Sequence, residues 1–334
     1  MIVPGQPTMR ELLLSPSLAY LMEAHDGLSA RIVNESGFDG IWVSGLAVST
    51  VLGLRDCNEA SSTQLLAAVE AIADSTSLPI LVDGDSGFGD FNNVRLVVRK
   101  MSARGVGGLC IEDKEFPKRN SFMAADHRLV SIEEFCGKLK AAKDSARRDD
   151  FCVVARTEAL ITGTGMDDAL RRARAYAAAG ADAIVIHSKS SNPGEVLRFA
   201  SAWSGAAPLI LIPTTYSCIT EKELAETGAS IVIWANHMLR ASLAAMLRAC
   251  REIRRDGVAR AEAWIAPVRD IFRLLQYDEL ADAERRYLPE PYHGNRRLKA
   301  IATLFARDRA SVRRAGSSRS ASRRVTEDRG VFDV

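Results

Sequence analysis

No run of apolar residues in this chain approaches the roughly 20 that cross a bilayer, so no membrane partner is expected. The N-terminus, MIVPGQPTMRELLLSPS, lacks a basic segment followed by a long apolar stretch, and no secretory leader is expected there. The six cysteines (Cys57, Cys110, Cys136, Cys152, Cys218, Cys250) have no CxxC spacing, and several stand in apolar runs. Reduced, buried thiols of a cytoplasmic protein fit that scatter better than a disulfide framework. GxSxG, HExxH and Walker A motifs are all missing, which argues against the hydrolases and nucleotide triphosphatases built on them. Nor is there a strong charge of one sign. Lysine and arginine number 44 against 42 acids, and from Arg307 to Val334 eight arginines face four acids. The body before that tail is therefore slightly acidic, and nucleic acid is not an expected partner.

What remains is an ordinary globular composition, 47% hydrophobic and 26% charged, in 334 residues. That length suits one domain with a large core. A single domain over 1–306 is expected, followed by a Ser/Arg-rich tail, 307–334, with no apolar periodicity and the composition of a disordered segment.

The stretch from Leu78 to Ser121 organises the rest. Its two apolar runs, Pro79–Val82 and Gly108–Ile111, each end abruptly in carboxylates: Asp83 and Asp85 after the first, Glu112 and Asp113 after the second. Side chains alternate along a strand, so Asp83 and Asp85 can point the same way off its C-terminal end. Convergent carboxylates repel unless a cation lies among them, and a hard, oxygen-seeking ion such as Mg²⁺ suits such ligands. An acidic turn is the plainer reading of Asp83-Gly84-Asp85 alone; Glu112 at the equivalent place on the next strand favours the metal.

Further apolar runs of strand type fall at Leu18–His25, Ile41–Val43, Phe151–Ala155, Ala183–Ile186, Leu209–Ile212 and Ile231–Trp234. Helical stretches alternate with them: Leu28–Ser36, Glu59–Thr76, Asn92–Arg104, Ser131–Ala146, Asp167–Ala179, Pro193–Trp203 and Glu221–Thr227. Ser131 and Glu134 have the spacing of a capping box. Apolar rather than alternating strands, with polar residues after nearly every one, predict a closed parallel (β/α)8 barrel of TIM type with its loops at one mouth. An open doubly wound sheet would gather those residues at its switch point instead. Helices are expected over Leu239–Arg255, Ala261–Leu275 (split or kinked by Pro267) and Asp278–Tyr287, with more apolar surface than one added helix needs, which suggests packing against another subunit.

Arg156 and His187 each stand directly after a strand. Either could be structural, but together at one mouth they suit an anion, since arginine matches carboxylate or phosphate oxygens bidentately. The loop Glu112-Asp-Lys-Glu-Phe-Pro-Lys118-Arg-Asn-Ser121 offers a lysine, an amide and a hydroxyl beside the acidic turn, donors that an anionic substrate needs. Asp56 and Asn236-His237 read equally well as helix caps. Thr162–Gly165 reads as a flexible turn.

With these residues in hand, the chain resembles the phosphoenolpyruvate mutase family of the isocitrate lyase superfamily, from about Met22 to Pro289. The resemblance is carried by MEAHDGLSA, IWVSGL, LRDCNEAS, VDGDSGFG, EDKEFPKRNS, VARTEA, GADAIVIHSK and IVIWANH. It implies a Mg²⁺-dependent barrel enzyme that interconverts phosphoenolpyruvate and phosphonopyruvate, an entry to natural products containing a C–P bond. Asp83 matches the residue that holds the metal; Asp56, Asp85 and Glu112 match residues acting largely through water. Ser44, Gly45 and Leu46 match the loop at the substrate's carboxylate end. Arg156, His187, Asn120 and Ser121 match the residues around the phosphoryl group, and Lys118 the lysine of a mobile gating loop. The family further implies a homodimer exchanging its last barrel helix, or a homotetramer of two such dimers. Gly84 stands where the family pattern has alanine, and is expected to loosen the metal turn. Ser86, Val43 and Ala47 depart from the pattern without removing a ligand. A phosphonopyruvate hydrolase is the competing reading, disfavoured by Asn120, where the hydrolase tends to carry threonine. Carbon–carbon lyases would place a catalytic cysteine in the loop that here carries Lys118 and Asn120. A non-catalytic barrel stands last, because every matched ligand position keeps a competent side chain.

Overall fold

A computed structural model describes residues 6–123, 127–205 and 207–289. The elements run α1 (Met9–Leu14), β1 (Ala19–Ala24), α2 (Gly27–Glu35), β2 (Gly40–Val43), α3 (Gly45–Val51), α4 (Ser62–Ala73), β3 (Ile80–Asp83), α5 (Phe91–Ser102), β4 (Gly108–Glu112), α6 (Ile132–Ser145) and β5 (Cys152–Thr157). They continue with α7 (Ala159–Thr162), α8 (Met166–Ala178), β6 (Ala183–Ile186), α9 (Gly194–Ala202), β7 (Leu209–Leu211), α10 (Glu221–Glu226), β8 (Ile231–Trp234), α11 (His237–Asp256), α12 (Val258–Ala261), α13 (Val268–Leu274) and α14 (Tyr277–Tyr287). The eight strands are parallel and close into a barrel in sequence order, β8 pairing with β1. The closed (β/α)8 barrel expected from the sequence is therefore the fold, and the open sheet is not.

A single parity rule organises the strands. Ile41, Val43, Ile80, Val82, Leu109, Ile111, Val153, Ala155, Ile184 and Ile186 face outward into the layer under the helices. Leu21, Trp42, Leu81, Cys110, Cys152, Val154, Val185 and Ile233 face inward and fill the barrel. Because the period is two, the inward series continues past the apolar core into Glu23, Ser44, Asp83, Glu112, Arg156 and His187 at the C-terminal mouth.

The opposite end is closed by α1, which sequence periodicity did not single out. Thr8 caps it with a full capping box, and Met9, Leu12 and Leu13 join the inner core. A Cβ at Gly107 would lie 2.8 Å from that of Met9, so only glycine lets the helix approach the start of β4. Arg10 ties it down by donating to the Phe151 carbonyl at 3.3 Å and pairing with Asp182 at 3.1 Å, both just ahead of strands.

Two expectations about helices change. Ser131 accepts a bond from the Glu134 amide at 3.1 Å, but the Glu134 carboxylate pairs with Lys138 instead of returning to the cap, so the capping box is half formed. The stretch 261–275 is helical only at Ala261, the end of α12, and over α13, with Pro267 as N-cap of α13 where a break was expected. The chain divides into two units, residues 1–250 and 251–334, with α11 crossing the boundary. In the second unit, Trp264 donates to Glu252 at 2.7 Å and Phe272 packs on Tyr277 with ring centres 4.6 Å apart. The tail, 307–334, lies outside the described residues. Among those described, no helix is long and apolar enough to cross a membrane.

Filling the barrel floor makes α1 part of the core rather than an appendage. Leu13→Ala and Met9→Ala should each destabilise the protein by about 2–4 kcal/mol, read as a lower midpoint of urea unfolding.

Candidate active site

The mouth of the barrel holds a cleft lined by Trp42, Ser44, Leu46, Asp56, Asp83, Lys118, Asn120, Ser121, Phe122, Arg156, His187, Ile212, Thr214, Ala235 and Asn236. Its two halves are chemically different, and strand parity explains why.

On one side stand the carboxylates. Asp83 ends β3, and Asp85 follows one strand period later with a left-handed backbone (φ 50°), a conformation that favours glycine and marks a constrained turn. The Asp85 amide donates to Asp83 Oδ1 at 3.2 Å, and the Glu112 amide to the Asp85 carbonyl at 2.8 Å, which locks the two strand ends together. Gly45 begins α3 against this turn. A Cβ there would meet Asp85 Oδ1 at 2.9 Å and Asp83 Oδ2 at 3.4 Å, so the backbone's approach to the carboxylates depends on glycine. Ser44 caps α3 by accepting from the Ala47 amide at 3.3 Å. Gly84 does not loosen the turn as expected. Its amide donates to the Cys110 carbonyl at 2.7 Å, and a Cβ would fall 2.6 Å from Leu109 Cδ1, so the Leu109 side chain takes the room an alanine would need.

Asp113 does not join Asp83, Asp85 and Glu112. Parity turns it outward, fully buried, where it accepts from Tyr176 Oη at 2.7 Å and the Glu158 amide at 2.9 Å and pairs with Arg172 at 3.3 Å. Burial, only partly offset by Tyr176, pushes its carboxyl up to about 6.

Over the carboxylates lies the loop that carries Lys118 and Asn120. Lys118 Nζ pairs with Asp85 at 2.6 Å and Asp56 at 2.8 Å. Its backbone amide donates to Asn58 Oδ1 at 2.6 Å, and Asn58 Nδ2 in turn donates to Asp85 at 2.8 Å. Asn120 Nδ2 donates to Asp56 Oδ2 at 2.6 Å. Asp56 is thus a latch for this loop and not a helix cap; the cap of α4 is Ser61. Burial works against the Lys118 charge, but Asp85 and Asp56 hold its pKa well above the usual range. The same two cationic and amide contacts keep Asp56 low despite burial. Burial pushes Asp85 up to about 7, against Lys118 and helped by Asp83 and Asp56.

The other side of the cleft is cationic. Arg156 Nη2 lies 2.8 Å from His187 Nδ1 and 3.4 Å from Glu112, so the two residues singled out after strands are neighbours. Burial and the Arg156 charge lower the His187 pKa, with Glu158 opposing. Behind them are residues the motif reading passed over. Glu158, two positions after Arg156 and on the same parity, accepts from Arg156 Nε at 2.5 Å, Ser121 Oγ at 2.7 Å and Lys114 Nζ at 2.9 Å. Lys114, one period after Glu112, donates to Ser121 Oγ at 2.5 Å and to the Arg119 carbonyl at 3.1 Å. Extending the inward series by one step would have found both. Glu23, also inward and fully buried, caps α11 by accepting from the Leu239 amide at 2.8 Å and touches His25 Nδ1 at 2.5 Å. Asn236 lies in the cleft and His237 begins α11, so the capping role expected for them falls to Glu23.

Among the described residues, no three His, Cys, Asp or Glu side chains close on a point as a ready-made metal cluster. The donor set still suits a hard cation held partly through water. Five carboxylates (Asp56, Asp83, Asp85, Glu112, Glu158) face three cations (Lys114, Lys118, Arg156), and Glu112 Oε1 is buried without accepting a hydrogen bond.

A sequence model of the phosphoenolpyruvate phosphomutase family matches residues 9–254. The phosphoenolpyruvate phosphomutase of Tetrahymena pyriformis is 46% identical over 84% of this chain and 94% of its own length. The phosphonopyruvate hydrolase of Variovorax sp. (strain Pal2) is 41% identical over 84% of this chain and 98% of its own. The crystal structure of a phosphoenolpyruvate phosphomutase from Streptomyces platensis subsp. rosaceus superposes with a TM-score of 0.83 at 43% identity, covering 84% of this chain and 98% of that one. A phosphonopyruvate hydrolase crystallised with oxalate and Mg²⁺ gives 0.80 at 40% identity, with the same coverage. Likeness of that extent, on a barrel whose inward strand ends build this two-sided cleft, makes the chain a member of the phosphoenolpyruvate phosphomutase family of enzymes.

Proposed function

We propose that the protein interconverts phosphoenolpyruvate and 3-phosphonopyruvate with Mg²⁺ as cofactor, the reaction that creates a C–P bond for phosphonate biosynthesis. The observation that carries this reading is the two-sided cleft: carboxylates suited to a hard cation on one wall, the Arg156–His187 pair 2.8 Å apart on the other, and a loop clamped over both. Both substrates are bipolar in the same sense, with a carboxylate and an enol or keto oxygen at one end and a phosphoryl group at the other.

In this reading Asp83 would hold the metal, with Asp85, Glu112 and Asp56 as the further carboxylates around it. The bound ion supplies positive charge for the enolate and carboxylate oxygens. The Ser44-Gly45-Leu46 backbone orients that end of the substrate. Arg156, His187, Asn120 and Ser121 hold the phosphoryl oxygens. The enol O–P bond breaks, the phosphoryl group passes as a metaphosphate-like species, and a bond forms between phosphorus and the methylene carbon as the enol C–O becomes a ketone C=O. No proton is gained or lost. Such a species reacts with any water it meets, so closure is a requirement of the chemistry, and Lys118 and Asn120 latched on Asp56 provide it.

The hydrolase is the second reading, supported by 41% identity to the Variovorax enzyme. Asn120 argues for the mutase, because the hydrolase tends to carry threonine there; in this chain its amide donates to Asp56 at 2.6 Å. A coupled assay for phosphoenolpyruvate formed from phosphonopyruvate tests the proposal. Turnover should appear with Mg²⁺ and vanish with chelator; phosphate as the first product would select the hydrolase. Asp56→Ala and Asn120→Ala should each lower kcat/KM by about 10²–10⁴-fold with an unchanged circular dichroism spectrum, and wild-type rates in either would refute the latch.

We also propose that two copies pair through the helix after the last strand. No residue of α11 is buried, its Leu243, Met246 and Leu247 are more than half exposed, and Tyr20, Met22 and Trp234 on the outer face of β1 and β8 are only partly covered. Light scattering should give a dimer or tetramer for the native chain and a smaller species for Leu243→Glu/Met246→Glu; an unchanged mass would contradict this.

A further inference from the structure

Glu158 presents a paradox. An anion sits at the back of a wall that, on the reading above, receives an anionic phosphoryl group. The carboxylate is 0% exposed, and the cleft surface is made by Arg156, His187 and Ser121 in front of it. Contact with substrate is therefore not its work.

Its two oxygens divide the wall between them. Oε1 accepts from Arg156 Nε at 2.5 Å and lies 2.9 Å from His187 Nδ1. Oε2 accepts from Ser121 Oγ at 2.7 Å and from Lys114 Nζ at 2.9 Å. Three residues that face the cleft, drawn from β5, the end of β6 and the loop after β4, are thus referred to one buried group. Burial alone would raise the Glu158 pKa, but Arg156, His187 and Lys114 hold it well below the usual carboxylate range, so the anchor is charged at neutral pH.

The competing attraction comes from the other wall. Glu112 is 3.4 Å from Arg156 Nη2, and Asp83 also draws on the guanidinium. A guanidinium is a planar fork, so fixing its Nε edge fixes where the remaining donors aim. Holding that edge on Glu158 keeps Nη2 between His187 and Ser121, at 2.8 and 3.5 Å, while Glu112 draws on the same nitrogen from 3.4 Å.

We propose that Glu158 is a positioning residue for the phosphoryl end of the substrate: it aims Arg156, His187 and Ser121 and competes with Glu112 for the Arg156 guanidinium. The inference rests on the mutase or hydrolase reading of the site, since both place a phosphoryl group there. Pre-set geometry of this kind acts on the group it aims at and leaves the far end of the ligand alone.

The test compares two ligands on the Mg²⁺-loaded enzyme: phosphonopyruvate, which uses both walls, and oxalate, which has no phosphoryl group. Glu158→Gln should lower kcat/KM for phosphonopyruvate by about 10²-fold or more while the inhibition constant of oxalate moves by less than about 3-fold. Glu158→Asp keeps the charge and shortens the reach by one methylene; it should show the same split at smaller size, and it serves if the amide variant does not fold. Wild-type kcat/KM in these variants, or an equal loss for oxalate, overturns the proposal. Absence of any phosphonopyruvate turnover by the native enzyme with Mg²⁺ would instead overturn the functional reading on which it rests.

Discussion

Among the described residues, the carboxylates named at the mouth of this barrel outnumber the lysines and arginine that pair with them. Asp56, Asp83, Asp85, Glu112 and Glu158 converge on Lys114, Lys118 and Arg156 in a buried region, and burial, with Asp83 and Asp56 adding to it and Lys118 opposing, raises the Asp85 carboxyl to about 7. Uncompensated charge in a low-dielectric site is costly, and most of the local architecture can be understood as its management. Lys118 is drawn down between Asp85 and Asp56, which brings its loop over the cleft. Arg156 is shared between Glu158 and Glu112. A divalent cation on the Asp83 side would bring the named groups into balance, which is why a metal suits the site although the described residues form no ready-made cluster of ligands.

The same charges separate the two jobs the proposed reaction requires. One wall must stabilise an enolate and the other must carry a phosphoryl group between two atoms of it. Period-two strands give both walls from one rule: apolar residues inward through the barrel, then a polar residue at each strand end, then a second polar residue one period on. Asp85, Lys114 and Glu158 are this second tier. They contact the tier before them or the closing loop, and so convert strand register into side-chain aim.

That rule also explains how much was legible beforehand. The barrel followed from apolar runs alternating with helical stretches and ending in polar residues, and Arg156 meeting His187 followed from their equivalent places after strands. Asp113, which the sequence places beside Glu112 without a role, is turned outward because neighbouring residues at a strand end take opposite faces. Glu158 and Lys114 were overlooked because they lie past the strand ends, where attention goes to the residue nearest the apolar run. Helix α1 was missed for a different reason: six residues are too few to show a helical period, and its role depends on Gly107 allowing close approach. The role of Asp56 depended on a loop some sixty residues away, a relation no local pattern contains. Gly84 is tight because of Leu109 on the neighbouring strand, again a non-local fact.

The central claim is that phosphorus moves between oxygen and carbon inside a closed cleft without meeting water. The most direct measurement is ³¹P NMR of phosphonopyruvate turnover with Mg²⁺ in ¹⁸O-enriched water. Phosphorus should pass into the phosphoenolpyruvate resonance with no ¹⁸O in its non-bridging oxygens and no early phosphate signal. Inorganic phosphate carrying ¹⁸O as the first product would contradict the account, and would mean that the cleft admits water at the step for which its loop is latched.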